Sequence, residues 1–346
     1  IGMIGLPQTG KKALFELLTG HKPSENEVAS GKPIHGVAEI RDSRFDALVA
    51  MYKPKKEVRA RIELELLPKI EKDAISKGDI FEDIAEVDAL CHVVRAFKDD
   101  SIYHASGSVD PKRDIDAINS ELLLHDLIFI EKRFERLDKK VKQTKEEASM
   151  KERDSLAKLK AHLDKELPLR TLEISADDNK MLTSYPFLTR KEMIIALNVS
   201  EDQLKNKPPV EGDNIMQVSA KVEAEIAALD SEEERGAFLA DLGITEPAMN
   251  ILTRLCLKTL NLISFFTVGQ DEVRQWNVRA GSTAAEAAGV IHSDLQKGFI
   301  RAELIKLNDL KELGSEDAVK AQGKFYLKGK DYIVEDGDIL SIRFNV

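Results

Sequence analysis

The first residues of the chain have the spacing of a phosphate-binding loop. Gly5 and Gly10 are separated by four residues, and Lys11 follows directly. In such a loop the glycines let backbone N–H groups curl around phosphate oxygens, and the lysine reaches the outer oxygens. An ordinary strand-to-helix turn that uses both glycines for positive φ angles is the alternative interpretation. The loop residues expected to contact a nucleotide are Gln8, Thr9, Gly10, Lys11, Lys12 and Ala13.

Position 12 departs from this motif. The residue after the lysine is normally Ser or Thr, whose hydroxyl ligates Mg²⁺, but here it is Lys12. An ammonium group has no lone pair to offer a metal, although it could neutralise phosphate charge in place of the ion. The pattern therefore favours nucleotide binding over hydrolysis. It assigns no catalytic residue, and it leaves a requirement for Mg²⁺ open.

The elements around the loop suit an open α/β sheet. Residues 1–5 are predicted to form a buried strand, and residues 13–18 the helix that follows the loop. Two further apolar runs, 192–197 and 215–218, are predicted strands that end at Asn198 and Ser219. Ligands bind beyond the carboxyl ends of strands in such sheets. We therefore expect three strand ends to border one crevice.

The composition of the chain is that of a globular protein without a membrane-spanning segment. The 346 residues are 42% hydrophobic and 32% charged, which is typical of a globular protein. The net charge of −10 argues against general attraction to nucleic acid but not against a local basic patch. No run approaches 18 apolar residues, so we predict a cytoplasmic protein with no membrane partner. The histidines and the two cysteines lack metal-ligand spacing, and we predict no metal site.

A helical hairpin is predicted at 118–168. Apolar residues there follow a heptad spacing, and a polar break at 143–149 separates them from a second apolar stripe that ends at Pro168. Between Glu131 and Lys165 there are twelve Lys or Arg and eight Asp or Glu, so this segment carries a charge of +4. A solvated helix pair and a basic arm that contacts RNA or a ribonucleoprotein are both compatible with this charge. The heptad positions are Leu123, Leu127, Ile130, Phe134, Leu137 and Val141, and the second stripe is Leu156, Leu159 and Leu163.

The last 80 or so residues indicate a small β-grasp module. Thr283 is a predicted N-cap for an alanine-rich helix at 284–291. Strands are predicted at 275–278, 332–334 and 339–344. Because the segment contains no catalytic constellation, we interpret it as an interaction domain.

Together these segments resemble the YchF or Obg-like ATPase family of translation-associated P-loop NTPases. The resemblance rests on Gly5-Leu6-Pro7-x-x-Gly10-Lys11, His92–Phe97, Asn198–Glu201 and the stretch from Phe265 to Val346. It implies an α/β fold with a parallel-rich sheet in a P-loop G domain at 1–117 and 169–263. It also implies an inserted antiparallel coiled-coil hairpin at 118–168 and a TGS domain, a ubiquitin-like β-grasp, at 264–346.

The resemblance also implies a base site. Asn198-x-x-Glu201 matches the altered base-reading motif of the family, which is associated with ATP in preference to GTP. Ser219-Ala220-Lys221 matches the loop that places a backbone N–H near the purine 6-position. A turn residue that merely ends a strand is the alternative interpretation of Asn198. The predicted base-site residues are Asn198, Val199, Glu201, Ser219, Ala220 and Lys221.

The chain departs from the family at its switch segments. Glu65 and Pro68 stand where the family has the aspartate and glycine of Asp-x-Ala-Gly, and proline has no N–H to sense a γ-phosphate. The glycine-rich segment that follows is reduced to 70–88, with Gly78 as its only glycine. In the first switch, at 29–33, only Ser30 could replace the expected threonine. We therefore expect weak or absent hydrolysis.

Three functions remain compatible with the sequence. The first is a purine-nucleotide-binding regulatory protein whose hairpin and TGS domain contact the ribosome or RNA. The second is a working ATPase or GTPase that holds Mg²⁺ through water or Ser30. The third is an interaction scaffold that has lost nucleotide binding.

Overall fold

The computed structural model describes residues 1–70, 79–144 and 146–345. The strands are β1 (Gly2–Ile4), β2 (Ile34–Glu39), β3 (Lys56–Val58), β4 (Arg61–Leu66), β5 (Ala89–Arg95), β6 (Glu192–Asn198), β7 (Ile215–Val218), β8 (Leu262–Thr267), β9 (Glu272–Arg279), β10 (Phe299–Lys306), β11 (Phe325–Lys328) and β12 (Asp338–Phe344). The helices are α1 (Lys11–Thr19), α2 (Glu25–Ala29), α3 (Ser43–Tyr52), α4 (Asp79–Glu86), α5 (Pro111–Thr144), α6 (Glu147–Leu163), α7 (Ala176–Leu182), α8 (Ala220–Ala227), α9 (Glu232–Leu242), α10 (Ala248–Thr259), α11 (Ala284–Ile291), α12 (Ser293–Lys297), α13 (Leu307–Leu313) and α14 (Glu316–Ala321). Within the described ranges no helix is both long and apolar enough to cross a membrane.

The chain divides into two compact units, and each is built from two stretches of sequence. The first contains Ile1–Gly36 and Glu63–Ala248, and the second contains Val37–Ile62 and Met249–Val346. One six-stranded sheet lies mainly in the first unit, and another lies in the second. The predicted α/β fold class is confirmed.

The sheet of the first unit has the strand order β2-β4-β1-β5-β6-β7. β1 pairs in parallel with β4 and β5, and β6 pairs in parallel with β5 and β7. Every residue of β5 is buried, as expected for a central parallel strand covered on both faces. This arrangement confirms the strands predicted at 1–5, 192–197 and 215–218, and it brings their carboxyl ends to one edge.

The predicted hairpin consists of α5 and α6, which run antiparallel. Arg133 Nε donates to Glu152 Oε1 at 2.6 Å, and Arg153 Nε donates to Asp138 Oδ1 at 2.7 Å. The heptad leucines and the second stripe share one core. α5 begins at Pro111, earlier than the predicted start at 118, because the helix after Asp110 continues into the heptad without a break.

A buried carboxylate anchors the hairpin to the loop before β6. Asp126 on α5 accepts hydrogen bonds from the backbone N–H groups of Leu188 and Thr189, both at 2.9 Å. It also accepts one from the Thr189 hydroxyl at 2.6 Å. Three donors satisfy a carboxylate that would otherwise be costly to bury. The hairpin is therefore anchored by specific bonds as well as by apolar packing.

The sheet of the second unit has the order β11-β10-β12-β8-β9-β3 and is covered on both faces. On one face α11 packs through Ala284 and Ala287. The reciprocal bonds of Thr283 and Glu286 confirm the predicted N-cap of this helix. The strand predicted at 332–334 is wrong: this stretch contributes one isolated bridge, from Ile333 to Thr283, and otherwise serves as a loop.

The other face of this sheet is covered by residues that sequence analysis places in the range of the G domain. Phe45 and Leu48 on α3 are fully buried in one core with Phe266 and Ile305. β3 adds a parallel edge strand beside β9. The segment 37–62 thus contributes both a strand and a covering helix to the C-terminal sheet. The domain boundaries given above remain a prediction.

Replacing Phe45 with Ala should destabilise the second unit by about 3–5 kcal/mol, because it removes a fully buried ring from that core. Trp276 on β9 is the only tryptophan of the chain, so its fluorescence during denaturant unfolding reports on this unit. Leu124→Ala, at an exposed position of α5, is the control and should leave the transition unchanged. An unaltered Trp276 transition in Phe45→Ala would show that α3 does not support the sheet.

Candidate functional site

The phosphate-loop pattern adopts a tightly packed turn between β1 and α1. Gly5, Gln8 and Gly10 have positive φ angles of 155°, 59° and 90°. A Cβ on Gly5 would lie 2.5 Å from the Val93 carbonyl oxygen, and one on Gly10 would lie 2.2 Å from Asn198 Nδ2. Close approach of neighbouring groups therefore requires glycine at both positions. This is more than an ordinary turn needs.

Lys11 is buried and directed at the end of β4. It is 8% exposed, and its ammonium donates to the carbonyl oxygens of Leu67 at 2.7 Å and Pro68 at 3.1 Å. Burial lowers the pKa of Lys11 to about 7. Lys12 and Ala13 are exposed on the first turn of α1. The loop lysine is thus hydrogen-bonded to the chain directly after β4, where the resemblance led us to expect a γ-phosphate sensor.

Asn198 connects the predicted strand ends. The residue is 4% exposed, its Nδ2 donates to the Thr9 carbonyl at 2.9 Å, and its Oδ1 accepts from the Ala220 N–H at 3.0 Å. Its own carbonyl accepts from the N–H groups of Ala96 and Phe97. Asn198 is therefore a structural bridge between the phosphate loop and two further strand ends. Its contact with a base remains a prediction.

The strand ends enclose a cavity of about 780 Å³. Its lining brings together seven of the predicted residues: Gly10, Asn198, Val199, Glu201, Ser219, Ala220 and Lys221. The other five predicted residues, Gln8, Thr9, Lys11, Lys12 and Ala13, lie outside this lining. Gln8 instead borders a second cavity of about 670 Å³, together with Leu6 and Pro7.

Sequence analysis missed one wall of the larger cavity. The loop after β5 contributes Phe97, Lys98, Asp99 and Ile102. Ser200, Asp202, Lys205 and Leu242 complete the lining. β5 is a buried parallel strand beside β6, so the rule about carboxyl ends that led to Asn198 also points to this loop.

Of the altered switch positions that the structure describes, Glu65, Pro68 and Ser30 are not among the residues that line the larger cavity. The Glu65 carboxylate lies 3.5 Å from His35 Nδ1, and Pro68 presents its carbonyl to Lys11. Ser30 follows α2, and its hydroxyl donates to the Glu27 carbonyl at 2.6 Å. Of the shortened segment 70–88, residues 71–78, with Gly78, lie outside the described residues. In the part of the chain that the structure describes, no group of three or more His, Cys, Asp or Glu could hold a metal ion.

The chain is similar to known proteins over its whole length. The sequence family described as YchF-GTPase_C, a protein of unknown function (DUF933), matches residues 262–345. The chain is 39% identical to a ribosome-binding ATPase YchF of Bacillus subtilis (strain 168), with 100% of this chain and 99% of the relative covered. It is 36% identical to Obg-like ATPase 1 of Oryza sativa subsp. japonica, over 100% of this chain and 92% of that protein.

A solved structure shows the same architecture. The YchF GTPase of Schizosaccharomyces pombe superposes with a TM-score of 0.83 at 31% identity, covering 99% of this chain and 97% of that one. Similarity of this extent in sequence and fold covers the phosphate loop, the hairpin and the C-terminal sheet alike. The chain therefore belongs to the YchF / Obg-like ATPase family.

Proposed function

We propose that this protein is a purine-nucleotide-binding regulator of the translation apparatus that favours ATP and hydrolyses it weakly or not at all. The observation that carries the proposal is the Asn198 bridge, which joins a phosphate-type loop to the borders of one cavity. Relatives named as ribosome-binding ATPases support the link to translation. Ribosome contact would place the protein in the cytoplasm.

The cavity and loop fit a nucleotide. A volume of about 780 Å³ lies within the range of small-molecule sites, roughly 300–1,000 Å³. The base and ribose would occupy the cavity, with the Asn198–Glu201 and Ser219–Lys221 segments as borders. The phosphates would lie against the loop and the start of α1, where backbone N–H groups and Lys11 favour anions.

Two features support ATP in preference to GTP. Glu201 stands where guanine-reading proteins have the aspartate that accepts from the guanine N–H groups, and it begins an exposed 3-10 turn, Glu201–Gln203. The Ala220 N–H already donates to Asn198 Oδ1, so it is not free to donate to a guanine carbonyl. Adenine has no carbonyl at this position, so its binding does not need a hydrogen bond from the Ala220 N–H.

Several features support weak hydrolysis. Lys12 removes the hydroxyl that would ligate Mg²⁺, and Pro68 offers a carbonyl where an N–H donor is needed. The Ser30 hydroxyl is engaged at the end of α2, which disfavours a replacement Mg²⁺ site there. The described residues around the loop therefore do not fit a standard Mg²⁺ site. The presence of a cavity of nucleotide size argues against the third function, an interaction scaffold that has lost nucleotide binding.

The hairpin offers a surface for the ribosome or RNA. Lys132, Arg136 and Lys139 are exposed and follow the spacing i, i+4, i+7 of one helix face. They make no ion pair with another described residue, whereas Lys140 is paired with Glu146. Cations without acidic partners are the ones that can replace counterions on phosphate. We call these three residues the basic stripe, and the TGS domain is the second proposed contact.

Position 12 should determine the metal dependence of binding. We expect the unaltered protein to bind ATP equally well with Mg²⁺ and with EDTA in isothermal titration, and to bind GTP more weakly. Lys12→Thr restores a hydroxyl ligand, so ATP binding should become tighter with Mg²⁺ than with EDTA. Lys12→Met, which supplies neither charge nor ligand, is the control and should bind weakly in both conditions. Mg²⁺-dependent binding and rapid ATP turnover by the unaltered protein would contradict the proposal.

Nucleotide affinity should fall as pH rises from 7.5 to 9. The pKa of Lys11 is about 7, and adjacent phosphates would raise it, because a nearby negative charge favours the ammonium form. Binding in this range must therefore take up a proton, and affinity should weaken by roughly tenfold per pH unit.

Titration in buffers of different ionisation enthalpy measures that proton uptake directly. Lys11→Arg remains charged throughout and should bind without proton uptake. If the unaltered protein takes up no proton on binding, the Lys11 ammonium does not contact the phosphates.

Reversing the charge of the basic stripe should reduce ribosome binding. We expect a triple variant with Glu at positions 132, 136 and 139 to co-sediment poorly with ribosomes, and its residual binding to depend less on salt concentration. Exchanging Lys for Arg and Arg for Lys at the same positions conserves the charge and is the matched control. Undiminished co-sedimentation of the Glu variant would remove the hairpin as a contact surface.

A further inference from the structure

We propose that Arg95 is a positioning residue, which fixes the loop 97–103 and thereby shapes the wall of the cavity that receives the nucleotide base. The inference deepens the proposed function and rests on it. It concerns a residue that touches neither of the predicted binding segments through its side chain. Its effect is transmitted through the backbone of the loop.

Arg95 is the last residue of β5 and is 1% exposed. Its Nε donates to the Phe97 carbonyl at 3.2 Å, and Nη2 donates to the Asp99 carbonyl at 3.1 Å. Nη1 donates to the carbonyls of Ile102 at 3.1 Å and Tyr103 at 3.5 Å. One guanidinium thus holds four carbonyls of a single loop.

This arrangement is specific to arginine. Buried cations are usually matched by a carboxylate, but backbone carbonyl dipoles accept the hydrogen bonds of Arg95. The planar guanidinium presents five donors in a rigid fork, whereas a lysine ammonium presents three from one atom. The guanidinium carbon also lies 4.6 Å from the centre of the Phe97 ring, a cation–π distance. The shape of the loop therefore follows from one side chain.

The same loop forms a wall of the larger cavity. Phe97, Lys98, Asp99 and Ile102 line it. The Phe97 N–H donates to the Asn198 carbonyl at 3.0 Å, which attaches the loop to the predicted base site. Gly10 is the only phosphate-loop residue in the lining, so this wall belongs to the base end. A change at Arg95 should alter base binding and leave phosphate binding intact.

Binding of ATP and of inorganic tripolyphosphate separates these two contributions. We expect Arg95→Lys and Arg95→Met to bind ATP roughly tenfold or more weakly, while tripolyphosphate affinity stays within about twofold. Arg190→Met is the matched control, because Arg190 likewise donates to a backbone carbonyl, that of Leu182, but lies outside the cavity lining. It should bind both ligands as the unaltered protein does.

Hydrogen exchange without nucleotide tests the loop itself. The N–H of Ile102 donates to the Asp99 carbonyl and that of Ser101 to the Asp99 carboxylate, so both report on the loop conformation. Their exchange should accelerate in Arg95→Met, while exchange in the phosphate loop and in Arg190→Met remains slow.

The inference would be overturned if both Arg95 variants lost affinity for ATP and for tripolyphosphate equally. Unchanged ATP affinity would overturn it too. Unchanged exchange at Ser101 and Ile102 in Arg95→Met would overturn it as well. Failure of the unaltered protein to bind ATP would instead show that the proposed function is wrong. Because exchange is measured without nucleotide, the two failures are distinguishable.

Discussion

The site depends on the side-chain amide of Asn198. An amide has a donor and an acceptor end, and here the donor reaches Thr9 and the acceptor receives Ala220. These two bonds hold a loop from the start of the chain against a turn more than two hundred positions later. Because the amide is buried, each end would be costly to leave unsatisfied. The relative placement of loop and turn is therefore fixed before any ligand contributes.

A second constraint concerns charge next to the phosphate loop. Lys11 is buried, and its ammonium is held by two carbonyls at the end of β4. A proline at position 68 can accept a hydrogen bond but cannot donate one. The end of β4 therefore holds a lysine through two carbonyls. In the proposed function, nucleotide binding and hydrolysis depend on different residues, so the loss of one does not require the loss of the other.

The strand ends could be predicted because their signals are local. Glycine spacing marks Gly5 and Gly10, and buried apolar runs mark the strands that end at Asn198 and Ser219. The loop 97–103 carries no such pattern, since Arg95 holds it through backbone carbonyls that any residue provides. The packing of α3 was equally hidden: Phe45 and Leu48 indicate an apolar helix face but not which sheet it covers. Tyr332–Val334 has the composition of a strand, yet Ile333 makes only one bridge.

The composite second unit has a consequence for the order of synthesis. Phe45 and Leu48 are made early, but Phe266 and Ile305, with which they are buried, are made near the end of the chain. Until then the apolar face of α3 has no sheet to cover. During most of translation this apolar face is therefore without its partner sheet, and exposed apolar surface of this kind favours aggregation of incomplete chains. A chain that ended before β10 would lack Ile305 and would leave part of the α3 face uncovered.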